Sequence, residues 1–342
     1  MPVINGRRPH LAKMIDLHTH LLWDWDDGPD ARAHALGMCR MAERDGIKAI
    51  CLTPHVFRAN RHGDNLEILR QRMVEFRDGM HAAGVGLEFH WGAEVFVHPE
   101  VVKAIERYRF TVDQTSYVFL EFQADGVPVG AGNMLAQLMS KGFVPIISHP
   151  ERNRGFAARP ELLYEFVIMG CVAQVTAASL IGELGKEVRA AAGLFMVNNL
   201  VHIIASDAHS SVERPPVLSR AVEAASKIVG MEKAWAMVTE VPQAILDNAA
   251  LPDWGEPGNP LHRKTWTQRL IGMPRRLAGD HVAQNVTSLY LSPISGASVS
   301  HFSTTSSGAV WLRNDLAWRT AAAGAGSGSG SAAGSGSALG LG

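Results

Sequence analysis

The chain has 342 residues, and its 32 Lys and Arg against 33 Asp and Glu leave a formal charge of −1, so no net field points to nucleic acid or an anionic membrane. With 46% apolar and 19% charged residues the composition is globular rather than disordered, and no apolar run reaches the ~18 residues of a membrane span. Cys39, Cys51 and Cys171 show no CxxC spacing, which argues against a disulfide framework or a Cys-rich zinc site, and MPVINGRRPHLAK lacks the apolar core of a secretion signal; the sequence reads as a soluble cytoplasmic protein.

A short lead-in, residues 1–13, precedes a strand-like run, Met14–Trp23. Asp30–Arg44 then carries a helical pattern with Leu36, Cys39 and Ala42 apolar and Gly46 as the stop. Ala49–Thr53 is the second strand. Asn65–Met80 places Leu66, Leu69, Met73, Phe76 and Met80 on one helical stripe, the clearest amphipathic pattern in the chain. Strands are predicted at Gly86–Trp91, Tyr117–Phe122, Val144–Ser148, Val172–Thr176 and His202–Ala205. Helical patterns at Val129–Lys141, Pro160–Met169, Glu183–Val197 and Pro216–Val229 alternate with them, and Glu232–Asn248 closes the series. Strand–helix alternation implies parallel strands, and about seven such units suggest an α/β fold that closes as a barrel.

The texture changes near residue 250. Pro252, Gly255, Pro257, Gly258 and Pro260 break any regular element, and 321–342 is Ala, Gly and Ser apart from Leu339 and Leu341. Charge divides at the same place: residues 261–342 hold seven of the basic side chains but only Asp280 and Asp315, so the preceding part is mildly acidic. Residues 251–342 therefore read as a low-complexity, largely disordered extension, and the few cations at 263–276 read as solvated rather than as a nucleic-acid surface.

Chemistry gathers at the strand ends. Asp16-Leu17-His18-Thr19-His20, Thr53-Pro54-His55, Gly92-Ala93-Glu94, Leu120-Glu121, Ser148-His149 and Ser206-Asp207-Ala208-His209 each follow an apolar strand. In a parallel barrel these carboxyl ends converge on one face. Imidazoles and carboxylates collected there form a divalent-metal site, whereas a single His after a strand would be an ordinary polar residue. His10, His34, His62, His81, His90, His98 and His202 fit no such pattern. Asp16 shares a strand face with His18, so it either orients an imidazole or is barrel polarity; Glu151 is similarly open.

The order HxH, DDG, H, E, E, H, DxH resembles the polymerase-and-histidinol-phosphatase (PHP) domain. The strings IDLHTHLLWDWDDGPD, GAE, SHPERN and ASDAHSSVERPP narrow this to the manganese-dependent protein-tyrosine phosphatases of capsule and exopolysaccharide loci, the CpsB/CapC type. The resemblance covers roughly residues 14–250 and implies a distorted (β/α)7 TIM-like PHP barrel binding three divalent ions, Mn²⁺ by resemblance, with Fe²⁺, Co²⁺ or Zn²⁺ equally suited to the donors. Carried over by position, it assigns His18, His20, Glu94 and Asp207 to the first ion. Glu94 bridges to a second held also by Glu121 and His149, and Asp27, His55 and His209 hold the third. Arg152 and Arg214, beside ligand positions, would grip phosphate through planar guanidinium forks. The segment HVFRANRH after His55 departs most from the family pattern and bears on substrate preference.

These expectations make the chain an enzyme that hydrolyses protein phosphotyrosine, with ion-activated hydroxide as nucleophile. The implied substrate is the tail of a bacterial tyrosine autokinase. A thiol mechanism is disfavoured, because Asp45, Phe57 and Ala177, not Arg, stand six positions after the three cysteines. The competing readings are a small-molecule phosphoesterase of the histidinol-phosphatase kind and a non-catalytic scaffold of polysaccharide assembly.

Overall fold

The computed structural model describes residues 13–58 and 66–261. Nine strands follow in order: β1 Met14–Thr19, β2 Ile47–Leu52, β3 His55–Val56, β4 Glu88–Trp91, β5 Glu94–Phe96, β6 Tyr117–Glu121, β7 Val144–Ile147, β8 Val172–Thr176 and β9 Ile203–Ala205. Every pairing is parallel, in the orders β1-β2-β4 and β3-β5-β6-β7-β8-β9. The result is a curled parallel sheet with helices packed on its outer side, an α/β fold. Asp207 N–H donates to the His18 carbonyl and His20 N–H to the Ala208 carbonyl, each at 2.9 Å, so the chain after β9 lies against the end of β1. Among the described residues no helix is long and apolar enough to cross a membrane.

Several short elements escape the periodicity. The predicted Ala49–Thr53 strand runs as β2 and resumes as β3 after Thr53 and Pro54; Pro54 has no N–H to give the ladder. The next strand breaks likewise at Gly92 and Ala93, with Gly92 N–H on the Leu52 carbonyl and Glu94 N–H on the Pro54 carbonyl. These interruptions leave His55 directly opposite Glu94. The first strand stops at Thr19, four residues short of the expected end, because Leu21, Leu22 and Trp25 are buried from a loop instead. A helix at Val101–Tyr108 is not among those expected, although Val101, Ala104, Ile105 and Tyr108 fall at helical spacing on one face. The single helix expected over 232–248 is two, Met231–Ala236 and Glu240–Leu246, divided at Thr239.

Two apolar layers hold the fold. Val118, Leu120, Ile147, Ala173, Val175 and Ile204 point outward onto helix residues such as Phe156, Leu163 and Phe195. Tyr117, Phe119, Ile146, Val172, Ile203 and Ala205 fill the inside of the curl and are closed off at one end by Val241 and Ile245. This alternation is the two-residue period of strands buried on both sides.

The stretch just past the expected boundary at residue 250 is bonded to the domain. Trp254 Nε1 donates to the Val201 carbonyl at 2.8 Å, Lys233 Nζ donates to the Trp254 carbonyl at 2.7 Å, and Gly258 N–H reaches the Asn198 carbonyl at 2.8 Å. Composition ranked this stretch with the tail, but one indole and a series of backbone bonds fix it to the domain. The expected disorder of the remainder, 262–342, falls outside the described residues, as do most of the lead-in and His62.

The Trp254 ring lies 5.7 Å from that of His202, whose Nδ1 accepts the Ala173 N–H at 3.1 Å and must stay unprotonated to do so. Burial, then nearby Lys233, hold His202 down to about 4. An unfolded imidazole binds its proton at about 6.5, so between these values the unfolded chain binds more protons. Stability is intact above that window and falls as pH drops through it, by up to about 3 kcal/mol for this group. Urea unfolding as a function of pH is expected to show the decline, and His202→Gln is expected to make it shallower.

Candidate metal centre

One end of the curled sheet collects nine side chains. His18 lies in β1 and His20 just after it; His55, Glu94 and Glu121 come from β3, β5 and β6; His149 follows β7; Asp207 and His209 follow β9. Asp27 arrives from the loop after β1. All are buried except Asp27, whose side chain is 55% exposed. His149 and Asp207 adopt left-handed backbone conformations, φ 32° and 52°, uncommon for residues with a Cβ and a form of strain that clusters at functional sites. The Asp27 loop makes its own demand: a Cβ on Gly28 would sit 2.0 Å from the His20 carbonyl oxygen, so only glycine lets the loop close onto His20.

Four groups of donor atoms are compact enough to hold a cation: His18, His20 and Asp207; His18, Glu94 and His149; His55, Glu94 and Glu121; and His20, Asp27, His55 and His209. Glu94 belongs to two of them. Its Oε1 is 2.9 Å from His149 Nε2 and 3.4 Å from His18 Nε2; its Oε2 is 3.1 Å from His55 Nδ1 and 3.4 Å from His20 Nε2. Asp27 Oδ1 stands 3.2 Å from His209 Nε2 and 3.4 Å from His55 Nε2. The grouping implied by resemblance differs: the group of His18, His20 and Asp207 does not include Glu94, and His20 also joins Asp27, His55 and His209. Glu121 and His149 share no group, each lying with Glu94 on opposite sides of it.

The residues fit divalent ions. Glu94 Oε2, Glu121 Oε2 and His55 Nδ1 are buried and make no hydrogen bond among the described residues, although they lie within 3.1–3.6 Å of one another in the two contacts to His55. Buried polar atoms without partners are costly unless something else satisfies them, and an all-oxygen and imidazole donor set suits Mn²⁺, Fe²⁺, Co²⁺ or Zn²⁺. Without ions, protons take up part of the charge. Burial opposes ionisation of His20, yet Asp26, Glu94 and Asp207 raise it well above its ordinary value. His55 is lowered by burial and by His20 but lifted more by Asp27 and Glu94, to about 9. Burial and the Arg152 charge push His149 down to about 4. Burial would raise Glu94, but His18 and His149 outweigh it and hold the carboxyl well below its usual range. Glu121 goes the other way, raised by burial and by the Glu94 charge.

Arginines occupy the outer carboxylate oxygens. Arg152 and Arg214 both donate to Asp207 Oδ2, Arg214 at 2.6 Å, while Asp207 Oδ1 faces His18 and His20 at 3.6 and 3.5 Å. Arg58, which no motif singled out, donates to Glu121 Oε1. Thiol chemistry has no support here: all three cysteines are buried, and burial lifts Cys39 and Cys171 to about 12 and Cys51 well above its ordinary value.

Asp16, left open between two roles, binds no imidazole; its Oδ1 accepts the Ser206 N–H at 3.0 Å and so supports the turn into Asp207. Glu151 accepts the Thr176 N–H and the Ser179 hydroxyl, at 2.9 and 2.6 Å, and anchors the loop carrying Arg152. Two residues that sequence reasoning missed touch the candidate ligands directly. Asp26 accepts the His20 Nδ1–H at 2.9 Å, and Gln174 accepts the His18 Nδ1–H at 3.1 Å. A strand position two before an apolar-to-polar switch was the only hint for Gln174. For Asp26 it was the doubled aspartate in DDG.

Because Glu94 alone contributes an oxygen to each of two groups, Glu94→Ala is expected to lose more bound metal than Asp27→Ala, which removes one half-exposed donor. Elemental analysis of both full-length variants after loading with Mn²⁺ and desalting measures the difference.

The model of the family described as "Capsular polysaccharide synthesis, CpsB/CapC" matches residues 14–247. The tyrosine-protein phosphatase YwqE of Bacillus subtilis is 32% identical over 252 residues, 73% of this chain and 98% of its own. The tyrosine-protein phosphatase CpsB of Streptococcus pneumoniae is 26% identical over 239 residues, 68% of this chain and 98% of its own. A crystal structure from work on YwqE and CpsB, described there as unique metal-dependent tyrosine phosphatases, superposes with a TM-score of 0.68 at 31% identity, covering 71% of this chain and 99% of that one. With the family model spanning the whole curled sheet and its strand-end cluster, the chain belongs to the CpsB/CapC family.

Proposed function

We propose that the chain is a metal-dependent protein-tyrosine phosphatase acting on the tyrosine-phosphorylated tail of a bacterial kinase in capsule or exopolysaccharide assembly. The observation that carries this reading is the division of Asp207, whose Oδ1 faces the imidazoles and whose Oδ2 receives Arg152 and Arg214. Cation-binding atoms and phosphate-binding guanidinium groups thus meet on one carboxylate. The sheet that carries them reads as a (β/α)7 PHP barrel over 14–250, with β2–β3 and β4–β5 each counted as one interrupted strand. The extension over 261–342 is read as dispensable for chemistry, and the protein as cytoplasmic.

Three ions, Mn²⁺ by family, fit the donors. His18, His20, Glu94 and Asp207 would hold one, Asp27, His55 and His209 another, and Glu94 would be shared with the ion between them, with Glu121 on its His55 side and His149 on its His18 side. When bound, such ions draw charge from phosphoryl oxygens and lower the pKa of water toward ~7. The chain's own contribution is orientation. Arg152 and Arg214, 30% and 20% exposed, would bind the non-bridging phosphoryl oxygens through their planar forks. Asp207 holds both forks in place before substrate arrives, which lowers the ordering cost at binding. Glu151, bonded to Thr176 and Ser179, keeps the Arg152 turn from shifting.

The test is turnover by the Mn²⁺-loaded chain of a phosphotyrosine peptide against histidinol phosphate. Strong preference for the peptide is expected. Preference for histidinol phosphate moves the reading to a small-molecule phosphoesterase, and failure to release phosphate from any aryl phosphate moves it to a scaffold. Arg152→Ala is expected to raise KM about tenfold or more, the worth of one charged hydrogen bond, with retained metal. Steady-state kinetics beside elemental analysis separates that effect from ion loss.

A further inference from the structure

Two buried oxygens, neither belonging to a candidate ligand, organise four of the five clustered imidazole residues in the same way. Asp26 Oδ2 accepts the His20 Nδ1–H at 2.9 Å and also the backbone N–H of His55 at 3.0 Å. Gln174 Oε1 accepts the His18 Nδ1–H at 3.1 Å and also the backbone N–H of His149 at 3.2 Å. Each oxygen therefore fixes the ring of one histidine and the main chain of another. The other Asp26 oxygen accepts Gly28 N–H at 3.0 Å, which ties the Asp27 loop to the same point. His209, the fifth, turns its Nδ1 to the Asp207 carbonyl at 2.7 Å.

We propose that Asp26 and Gln174 are the positioning residues of the metal centre, each aiming two histidines, and that their difference in charge makes the Asp26 side the tighter-binding one. This rests on the metal-dependent reading above. The physical argument has three steps. A neutral imidazole has one N–H and one bare nitrogen, and the acceptor that takes the N–H decides which nitrogen is left to bind an ion. With Nδ1–H committed to Asp26 or Gln174, the bare nitrogens of His20 and His18 are both Nε2, and these lie 3.1 Å apart facing Glu94 and Asp207. A carboxylate acceptor makes its imidazole a stronger donor than an amide does, because it stabilises the partial positive charge that coordination draws onto the ring.

The backbone contacts extend each oxygen's reach. His149 adopts φ 32°, and Gln174 is the group that accepts its N–H in that turn. His55 follows the break at Pro54, where no sheet partner takes over until Glu94, and Asp26 supplies the acceptor instead. Asp26 therefore reaches His20 and His55, two of the four donors in the group with Asp27 and His209. Gln174 reaches His18 and His149, two of the three donors in the group with Glu94. The two supports meet at Glu94 and in the group of His18, His20 and Asp207, which takes one imidazole from each.

Mn²⁺ binding to the full-length chain, followed by competition with a chelator of known affinity, tests this with wild type, Asp26→Asn and Gln174→Ala. Asp26→Asn keeps size and one acceptor oxygen but removes the charge, and is expected to weaken the tightest Mn²⁺ step by about 10–100-fold. Gln174→Ala is expected to weaken a later step and leave the tightest one near the wild-type value. A readout specific to positioning is the nitrogen spectrum of ¹⁵N-histidine protein loaded with diamagnetic Zn²⁺. Wild-type His20 is expected to carry its proton on Nδ1 with a strongly deshielded signal, and Asp26→Asn to lose that deshielding. Unchanged Mn²⁺ affinity in Asp26→Asn, a His20 proton on Nε2, or equal effects of both variants on the same step would each overturn the proposal. Thermal melting of the metal-free variants near the wild-type value excludes misfolding as the cause. If the wild-type chain itself binds no Mn²⁺, the metal-dependent reading fails first and takes this one with it.

Discussion

The arrangement depends on placing three buried carboxylates, with a half-exposed fourth, side by side. Asp27, Glu94, Glu121 and Asp207 share a set of imidazoles within a few ångströms, and only Asp27 reaches solvent to any extent. Two like charges about 4 Å apart repel by roughly 4 kcal/mol at an effective dielectric of ~20. A hydrogen bond contributes about 1 kcal/mol net, so ordinary polar contacts cannot offset four such charges. Cations must. The same acids raise the proton affinity of His20 and His55 against burial, while burial and the Arg152 charge drive His149 down. Glu121, which is raised, is the carboxylate left least compensated.

A fold can impose this only through backbone that does not yield. The parallel ladder supplies most of the rigidity, and its two interruptions bring His55 and Glu94 into register at the point where they face each other. The left-handed conformations at His149 and Asp207 cost energy that packing has to offset. Around Asp207 the offset is identifiable. Its N–H is bonded to the His18 carbonyl, the preceding Ser206 N–H to Asp16, and both its oxygens to charged partners. At His149 it is the Gln174 oxygen and the 3₁₀ turn Pro150–Arg152 that follows. The same contacts that hold the strain also hold the donors, so strain and site are one feature of the structure.

Much of this is legible in the sequence because strands announce themselves by apolar runs and their ends by abrupt polarity. The positions of His18, Glu94, His149 and Asp207 after such runs are read directly, and the long amphipathic helix at 66–82 follows from its stripe. The interruptions at Pro54 and Gly92 are harder. Short strands of two or three residues, such as His55–Val56 and Glu94–Phe96, have no period to detect. Asp26 and Gln174 were invisible for another reason. Their role is a contact made across long sequence separations: Gln174 meets His18, and Asp26 meets His55, only after the sheet has curled. Trp254 illustrates the same limit further along the chain, where local composition suggests a tail but a half-buried indole bonds to the Val201 carbonyl.

The arginines follow a single geometric rule that the motifs do not express. Arg152 and Arg214 take one oxygen of Asp207, and Arg58 takes one oxygen of Glu121, while the remaining oxygen of each acid faces an imidazole. Guanidinium groups therefore stand outside the carboxylates and imidazoles inside them. On the proposed reading an incoming dianion would meet this positive charge before the centre, with each fork held by the acid behind it. The segment after His55, none of whose described residues is a candidate ligand, supplies one of these guanidinium groups. Phe57, at φ 59°, packs on Phe110 and His98 and reverses the chain so that Arg58 is delivered onto Glu121.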